Sequence, residues 1–194
     1  MVDFIGKGAE ADVFLKDNVL YKVRVTKSYR LNILDDKLRK KRTRSESKIL
    51  KKVGDIGPGF LGSDDISEIR MNFIPGVLVK NFLDKDVSLA KTIGSTVGRL
   101  HDMNIIHGDL TTSNMILSKT GDLKLIDFGL SFISDKIEDR AVDIHLFREA
   151  VRSKHFSFEK DIWSLFIEGY CASNKNLVLN KLEAVELRGR NKQK

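Results

Sequence analysis

Cysteine occurs once in the 194 residues, at Cys171, so no internal disulfide can form and no C-x-x-C pair is available for redox chemistry or zinc. That thiol falls in an apolar-periodic stretch and is expected to pack in the core. Histidine is equally sparse. His101, His107, His145 and His155 have no Cys or His neighbour at zinc-ligand spacing, which argues against a zinc site. No apolar run approaches the roughly eighteen residues needed to cross a bilayer. The N-terminal MVDFIGKGAEADVF carries Asp3 and lacks the hydrophobic region of a secretory signal, so a cytoplasmic chain without membrane association is expected. Internal repeats and low-complexity tracts are absent as well, and the length suits one compact unit or two small lobes.

What acid the chain has is unevenly placed. The net charge is +7, but KLRKKRTRSESKILKK (37–52) holds Glu46 as its only acid, and the terminal LRGRNKQK holds none. Blocks of this kind attract phosphate-rich partners, although a solvated helix face and a frayed tail have the same composition.

Apolar spacing outlines the fold. DVFLKDNVLYKVRV reads as two strands around the turn formers Asp17 and Asn18. A helix is expected from about Asp35 to Val53, touching the core on a narrow face. ISEIRMNFI alternates, placing Ile69, Met71 and Phe73 on one face, and stops at Pro75-Gly76, where a lobe boundary is expected. Beyond it Leu89, Ile93, Val97 and Leu100 repeat at helical spacing, and NMILSKTGDLKLIDF reads as a hairpin turning at Gly121-Asp122. Two further helices should follow, the second with Trp163, Phe166, Ile167 and Tyr170 on one core-facing side, and the last eight residues are expected to be disordered. The domain reading is 1–74 for a first lobe, 75–187 for a second and 188–194 for a basic tail.

The chemistry concentrates in HGDLTTSN (107–114) and in DFG, which begins thirteen residues after Asn114. Phosphoryl transfer from ATP needs Mg²⁺ on the phosphates, a cation to neutralise charge and a carboxylate to orient or deprotonate the acceptor. H-x-D-x-x-x-x-N lets one loop present a base, Asp109, and a metal ligand, Asn114, while Asp127 supplies a second ligand from the end of an apolar strand. Upstream, Gly6, Lys7, Gly8, Ala9, Glu10 and Ala11 form a candidate phosphate loop, weak alone because Ala11 stands where the full G-x-G-x-x-G has glycine. Lys22 strengthens it as a strand lysine suited to the α- and β-phosphates, with Lys16 as substitute. Glu46 is the natural partner of Lys22, and pairing with Arg42 or Lys48 within the helix is the alternative. Met71, Asn72, Phe73 and Ile74 are expected to offer backbone groups to adenine.

These motifs resemble the atypical protein kinases, and among them the small serine/threonine kinase and ATPase subunit of the KEOPS complex, the PRPK family, which is related to the RIO kinases. GKGAEADVF, RTRSESKIL, HGDLTTSNMIL, IDFGLS, EDRAVDIHLFREAV and LRGR carry the resemblance, which covers nearly the whole chain. It implies a minimal, bilobal α+β kinase fold, with an antiparallel-sheet N-lobe and a shortened helical C-lobe, and ATP and Mg²⁺ as cofactors. It also implies partnership with the other KEOPS subunits, chiefly the tRNA threonylcarbamoyl-transfer enzyme, and contact with tRNA through the basic helix and tail. Gly108 replaces the arginine of ordinary kinases and no A-P-E follows Asp127, so control by a phosphorylated activation loop is not expected. Small-molecule phosphotransferases of the aminoglycoside or choline type share HGDL and the later Asp, and a nucleotide-binding scaffold without catalysis is a third reading.

Overall fold

Two-residue alternation and helical spacing generate two compact units in the computed structural model, which describes residues 3–8 and 10–191. One unit runs up to Pro75 and includes Asp127–Leu130; the other comprises Gly76–Ile126 and the chain from Ser131 onward.

The first unit contains β1 (Asp3–Lys7), β2 (Asp12–Lys16), β3 (Val19–Val23), α1 (Asn32–Val53), β4 (Phe60–Ser63) and β5 (Glu68–Asn72). Its five strands form one antiparallel sheet in the order β1-β2-β3-β5-β4. Asp17 and Asn18 both take positive φ, 50° and 62°, in the two-residue turn between β2 and β3. That geometry matches the right-handed twist of a hairpin, and Asp and Asn tolerate it better than most residues. Helix α1 begins earlier than its polar sequence indicates, and Ile49, Leu50 and Val53 bury its inner edge. Together with Ile56, Ile69, Met71 and Phe128 they form the apolar core of this unit. Phe73 lies just past β5 and is only half-buried, so the expected three-residue face is shortened to Ile69 and Met71.

The second unit contains β6 (Gly76–Leu78), α2 (Leu89–Asp102), β7 (Ile105–Ile106), β8 (Met115–Ser118), β9 (Leu123–Leu125), β10 (Phe132–Ile133), α3 (Ile137–Lys154), α4 (Glu159–Gly169) and α5 (Lys175–Asn191). Strands β6, β8 and β9 form a small antiparallel sheet, β8 and β9 joined by a turn in which Gly121 has positive φ, and β7 pairs with β10. Three helices, rather than two, follow the DFG segment.

Several side chains depart from the sequence reading. Ile162, Phe166 and Tyr170 are fully buried, whereas Trp163 and Ile167 sit at the margin, with the Arg148 guanidinium over the indole. Cys171 is exposed rather than packed, and lies two residues past the end of α4 at Gly169. The C-terminal segment is also more ordered than expected: α5 continues through Asn191, while residues 192–194 lie outside the described residues.

Helices α2 and α4 approach closely enough to exclude side chains. A Cβ on Gly94 would overlap the Phe166 carbonyl oxygen and come 2.8 Å from the Tyr170 nitrogen, and one on Gly169 would overlap the Lys91 carbonyl. Backbone cannot yield as a flexible side chain can, so Gly94→Ala is expected to destabilise the second unit by about 1–3 kcal/mol despite its better helix propensity. Urea denaturation of the variant against wild type measures this; equal midpoints would show that the helices separate without penalty.

Candidate functional site

The first unit gathers three of the sequence-predicted residues around one amine. Lys22 leaves β3 and places Nζ 2.6 Å from Glu46 Oε1 on α1 and 2.7 Å from Asp127 Oδ1. Glu46 is 1% exposed, and its other oxygen accepts from Arg24 Nη2. Arg24 follows Lys22 by two residues, and strand alternation sends both cations toward α1. Two carboxylates and two cations therefore form a cluster without net formal charge, which limits the penalty for burying it. Burial alone would lower the Lys22 pKa, but Glu46 and then Asp127 outweigh it, so the amine is held above its ordinary value. The stability this contributes is fully present below the unfolded lysine pKa and is lost as pH rises through the higher folded value, leaving the neutral range unaffected.

The intrahelical alternative for Glu46 does not form: Arg42 turns instead to Glu10 in the glycine loop. Lys16 is exposed at the end of β2, beside the hairpin turn. Asp127 has φ 60°, a left-handed conformation that is unusual outside glycine, and Gly129 N–H donates back to its Oδ1. Gly6 and Lys7 belong to β1, and Gly8 N–H closes a turn on the Ala11 carbonyl at 2.8 Å. Ala9 lies outside the described residues. Glu10 points its carboxylate at Arg30 and Arg42. In the 71–74 segment, Met71 is buried in the ladder between β3 and β4, Asn72 N–H donates to Gly59 and Phe73 N–H donates to Asn18. Those two N–H groups are committed within the unit, which removes them as donors to a base in this conformation.

The second unit holds the HGDLTTSN loop. Asn114 Nδ2 donates to both the carbonyl oxygen and Oδ2 of Asp109, at 2.9 and 2.8 Å. With the amide nitrogen used in this way, the amide oxygen is the atom that can serve a cation. Gly108 has φ 79°, where an arginine would be strained, so its presence has a backbone cause. His107 is buried and uses both ring nitrogens, one with Ile126 O at 3.1 Å and the other accepting from Asp109 N at 3.3 Å.

Asp143 on α3 belongs to none of the sequence motifs for the site, yet it organises this loop. It is fully buried and accepts the backbone N–H groups of His107 at 2.8 Å and Gly108 at 2.9 Å. His101 Nε2 lies 3.2 Å from the same carboxylate, and His101 Nδ1 lies 2.9 Å from the Tyr170 hydroxyl. The Asp143 carboxylate can only accept, so His101 donates to it from Nε2, and in the neutral ring Nδ1 accepts from the Tyr170 hydroxyl, whose pKa burial raises. A third buried histidine, His155, joins Thr112 in the loop at 3.0 Å to Asp84 at 2.6 Å. An aspartate inside a helix carries no signal of such a role in its own neighbourhood; only the loop N–H groups that need an acceptor reveal Asp143.

The residues fit a magnesium nucleotide chemically. Asp127 in the first unit and the Asn114 amide in the second are each a hard oxygen donor, of the type that suits a cation that retains water and takes oxygens from phosphate as well as from protein.

Comparison with known proteins gives the family. A protein kinase domain model matches residues 79–193. The "EKC/KEOPS complex subunit bud32" of Dictyostelium discoideum is 38% identical over 209 residues, covering 97% of this chain and 82% of that one. The chain belongs to the Bud32 family. A "Probable bifunctional tRNA threonylcarbamoyladenosine biosynthesis protein" of Methanocaldococcus jannaschii is 42% identical to this Bud32-family chain over 196 residues, with 96% of the chain covering 36% of the longer protein. The chain thus spans about a third of the length of the bifunctional relatives it matches. Among solved structures, monomeric WbdD superposes with a TM-score of 0.59 at 18% identity, covering 90% of this chain and 44% of that one, and shares the kinase-like fold.

Replacing Asp143 by Ala is expected to leave the buried His107 N–H and the half-buried Gly108 N–H without their acceptor, at a cost of roughly 1–3 kcal/mol for the buried group and less for the other. Asp143→Asn, which keeps one acceptor oxygen, should fall between. Denaturation midpoints together with amide hydrogen exchange at residues 107–109 test this; unchanged exchange in the alanine variant would show that the carboxylate does not hold the loop.

Proposed function

We propose that this chain is a magnesium-dependent ATPase and atypical serine/threonine kinase that serves the KEOPS assembly in threonylcarbamoyl modification of tRNA adenosine. The observation that carries this reading is Lys22 held between Glu46, which is buried, and Asp127, which is half exposed. An amine so paired stays charged and fixed in position, which is what neutralising nucleotide phosphates requires. In the first unit, Lys22 takes the phosphates and Asp127 is a metal ligand. In the second, Asp109 orients or deprotonates the acceptor, water or a hydroxyl, and Asn114 is a metal ligand through its amide oxygen. Magnesium, when bound, would supply charge neutralisation on the phosphates.

The partners in this reading are the other KEOPS subunits, chiefly the enzyme that transfers the threonylcarbamoyl group, and tRNA. The name of the Dictyostelium relative and that of the Methanocaldococcus relative support it. Helix α1 adds a physical reason for tRNA. Arg39 and Arg42 are engaged by Asp35, Asp36 and Glu10, while Lys37, Lys40, Lys41, Arg44 and Lys48 line an exposed groove and form no ion pair among the described residues. A cytoplasmic location completes the proposal, and no helix among the described residues is long and apolar enough to cross a membrane. Between Ile74 and His107 there is one α-helix, α2, which leaves no helical insert of the kind small-molecule phosphotransferases use for their substrates.

Phosphate release and nucleotide binding, measured side by side, test the chemistry. Asp127→Ala should abolish metal-dependent turnover, while Asp109→Ala should slow it by about 10²- to 10⁴-fold and spare nucleotide binding. Full turnover in either variant would overturn the assignment. For the nucleic-acid part, Lys40→Glu/Lys41→Glu should weaken tRNA binding by the assembly and flatten its salt dependence, by about 0.9 in the log–log slope for each duplex phosphate no longer neutralised. An unchanged affinity across salt concentrations would reduce the block to a solubilising face.

A further inference from the structure

Glu10 sits in the middle of the glycine loop, where a carboxylate facing nucleotide phosphates would repel them. Its carboxylate is instead engaged by two arginines: Arg30 Nη2 at 3.0 Å and Arg42 Nη1 at 2.5 Å. Arg30 also reaches Asp35, which is fully buried and bonded in turn to Arg39 Nε at 2.8 Å. The loop, the segment leading into α1 and the first turns of α1 are thereby joined in one chain of alternating charges. Within the loop, Gly8 N–H closes on the Ala11 carbonyl at 2.8 Å, and Ala11 is buried. Arg42 and Glu46 lie four residues apart on α1, one turn along one side, so the helix that holds Lys22 also holds the loop.

We propose that Glu10 is a positioning residue that latches the glycine loop to α1 through Arg30 and Arg42, setting the loop for nucleotide phosphates before any nucleotide binds. The part of this that concerns phosphates rests on the ATPase reading; the latch itself does not. An ionic latch shows three properties. It weakens as salt screens it, because Glu10 is partly exposed. It is lost when Glu10 becomes neutral, and it returns when the charges are exchanged. The Glu10 carboxyl is held below its ordinary value, first by hydrogen bonding to Arg30 against the opposing effect of burial and then by Arg42. The latch is therefore intact above the unfolded glutamate pKa and is released only as pH falls through the lower folded value.

The test uses the full chain as wild type, Glu10→Gln, and the exchanged pair Glu10→Arg/Arg42→Glu. Amide hydrogen exchange over residues 4–13 is read without nucleotide, and ATP binding and turnover are read separately. The latch predicts faster loop exchange in Glu10→Gln, an ATP KM and Kd raised about three- to tenfold with kcat moving less, and a difference from wild type that closes as salt rises. The exchanged pair should recover much of the loss, which a merely local structural defect would not do. Loop exchange and ATP affinity indistinguishable from wild type in Glu10→Gln would overturn the proposal, as would an affinity loss that the exchanged pair fails to recover. A wild-type chain that binds no ATP, with loop exchange still accelerated in Glu10→Gln and restored in the exchanged pair, would support the latch and retire the ATPase reading.

Discussion

A carboxylate with 1% of its surface exposed, as Glu46 has, must be paired or it will not stay charged. Here it is shared by Lys22 of β3 and by Arg24 just past that strand, so that α1 cannot lift from the sheet without stranding Glu46 and Arg24. Removing one member of a buried pair commonly costs about 3–5 kcal/mol, far more than the pair contributes over a well-packed apolar replacement. The cluster is therefore better understood as fixing geometry than as adding stability. Asp127 joins it by adopting a left-handed backbone, and glycine at 129 allows the approach, since a Cβ there would lie 3.1 Å from Asp127 Oδ1.

The second unit holds its loop through a buried, hydrogen-bonded aspartate rather than a cluster of lysine and arginine ion pairs. Its loop carries glycine at a positive φ and a buried histidine, neither of which holds a conformation by packing alone. Asp143 supplies the missing acceptors, and Tyr170 reaches it through His101, so each buried polar atom of that relay has a partner. Fully satisfied networks of this kind rigidify what they touch. The α2–α4 glycine contact brings the backbone after α4 close to α2, which is what allows Tyr170 to meet His101.

How much of this is legible in the sequence differs by the range of the signal. The β2–β3 hairpin, α1, α2 and the β8–β9 hairpin follow from local periodicity and turn chemistry, and the sequence order of Asp109, Asn114 and Asp127 marks them as a set. Lys22 and Arg24 share a strand face by alternation, which makes Arg24 readable as the second partner of Glu46, but in a chain this basic one more arginine draws no notice. Asp143 lies in the middle of a helix with weak amphipathic pattern, where an aspartate ordinarily faces water; its role depends on backbone groups 35 and 36 residues away. Cys171 escapes the pattern for a related reason. Its neighbours keep an apolar rhythm after the helix has ended, and rhythm does not mark where a helix stops.

These constraints bear on how such a chain could be controlled. Ordinary kinases change activity by swinging the helix that carries the glutamate, often after an arginine before the catalytic Asp engages a phosphorylated loop. Here position 108 has φ 79°, so an arginine could occupy it only under strain. The segment from the DFG glycine to α3 runs only from Gly129 to Lys136, too short to fold into a long regulatory loop. Helix α1 is also held at Arg42 by Glu10 and at Glu46 by Lys22 and Arg24. With both movable parts fixed within the chain, a change of state has to be driven by a ligand with different affinities for the two states, and screening or competing for exposed charges is the most accessible way to supply that difference. Glu10, at 39% exposure, is open to competition from solvent, salt or a basic partner surface, whereas Glu46 is beyond their reach.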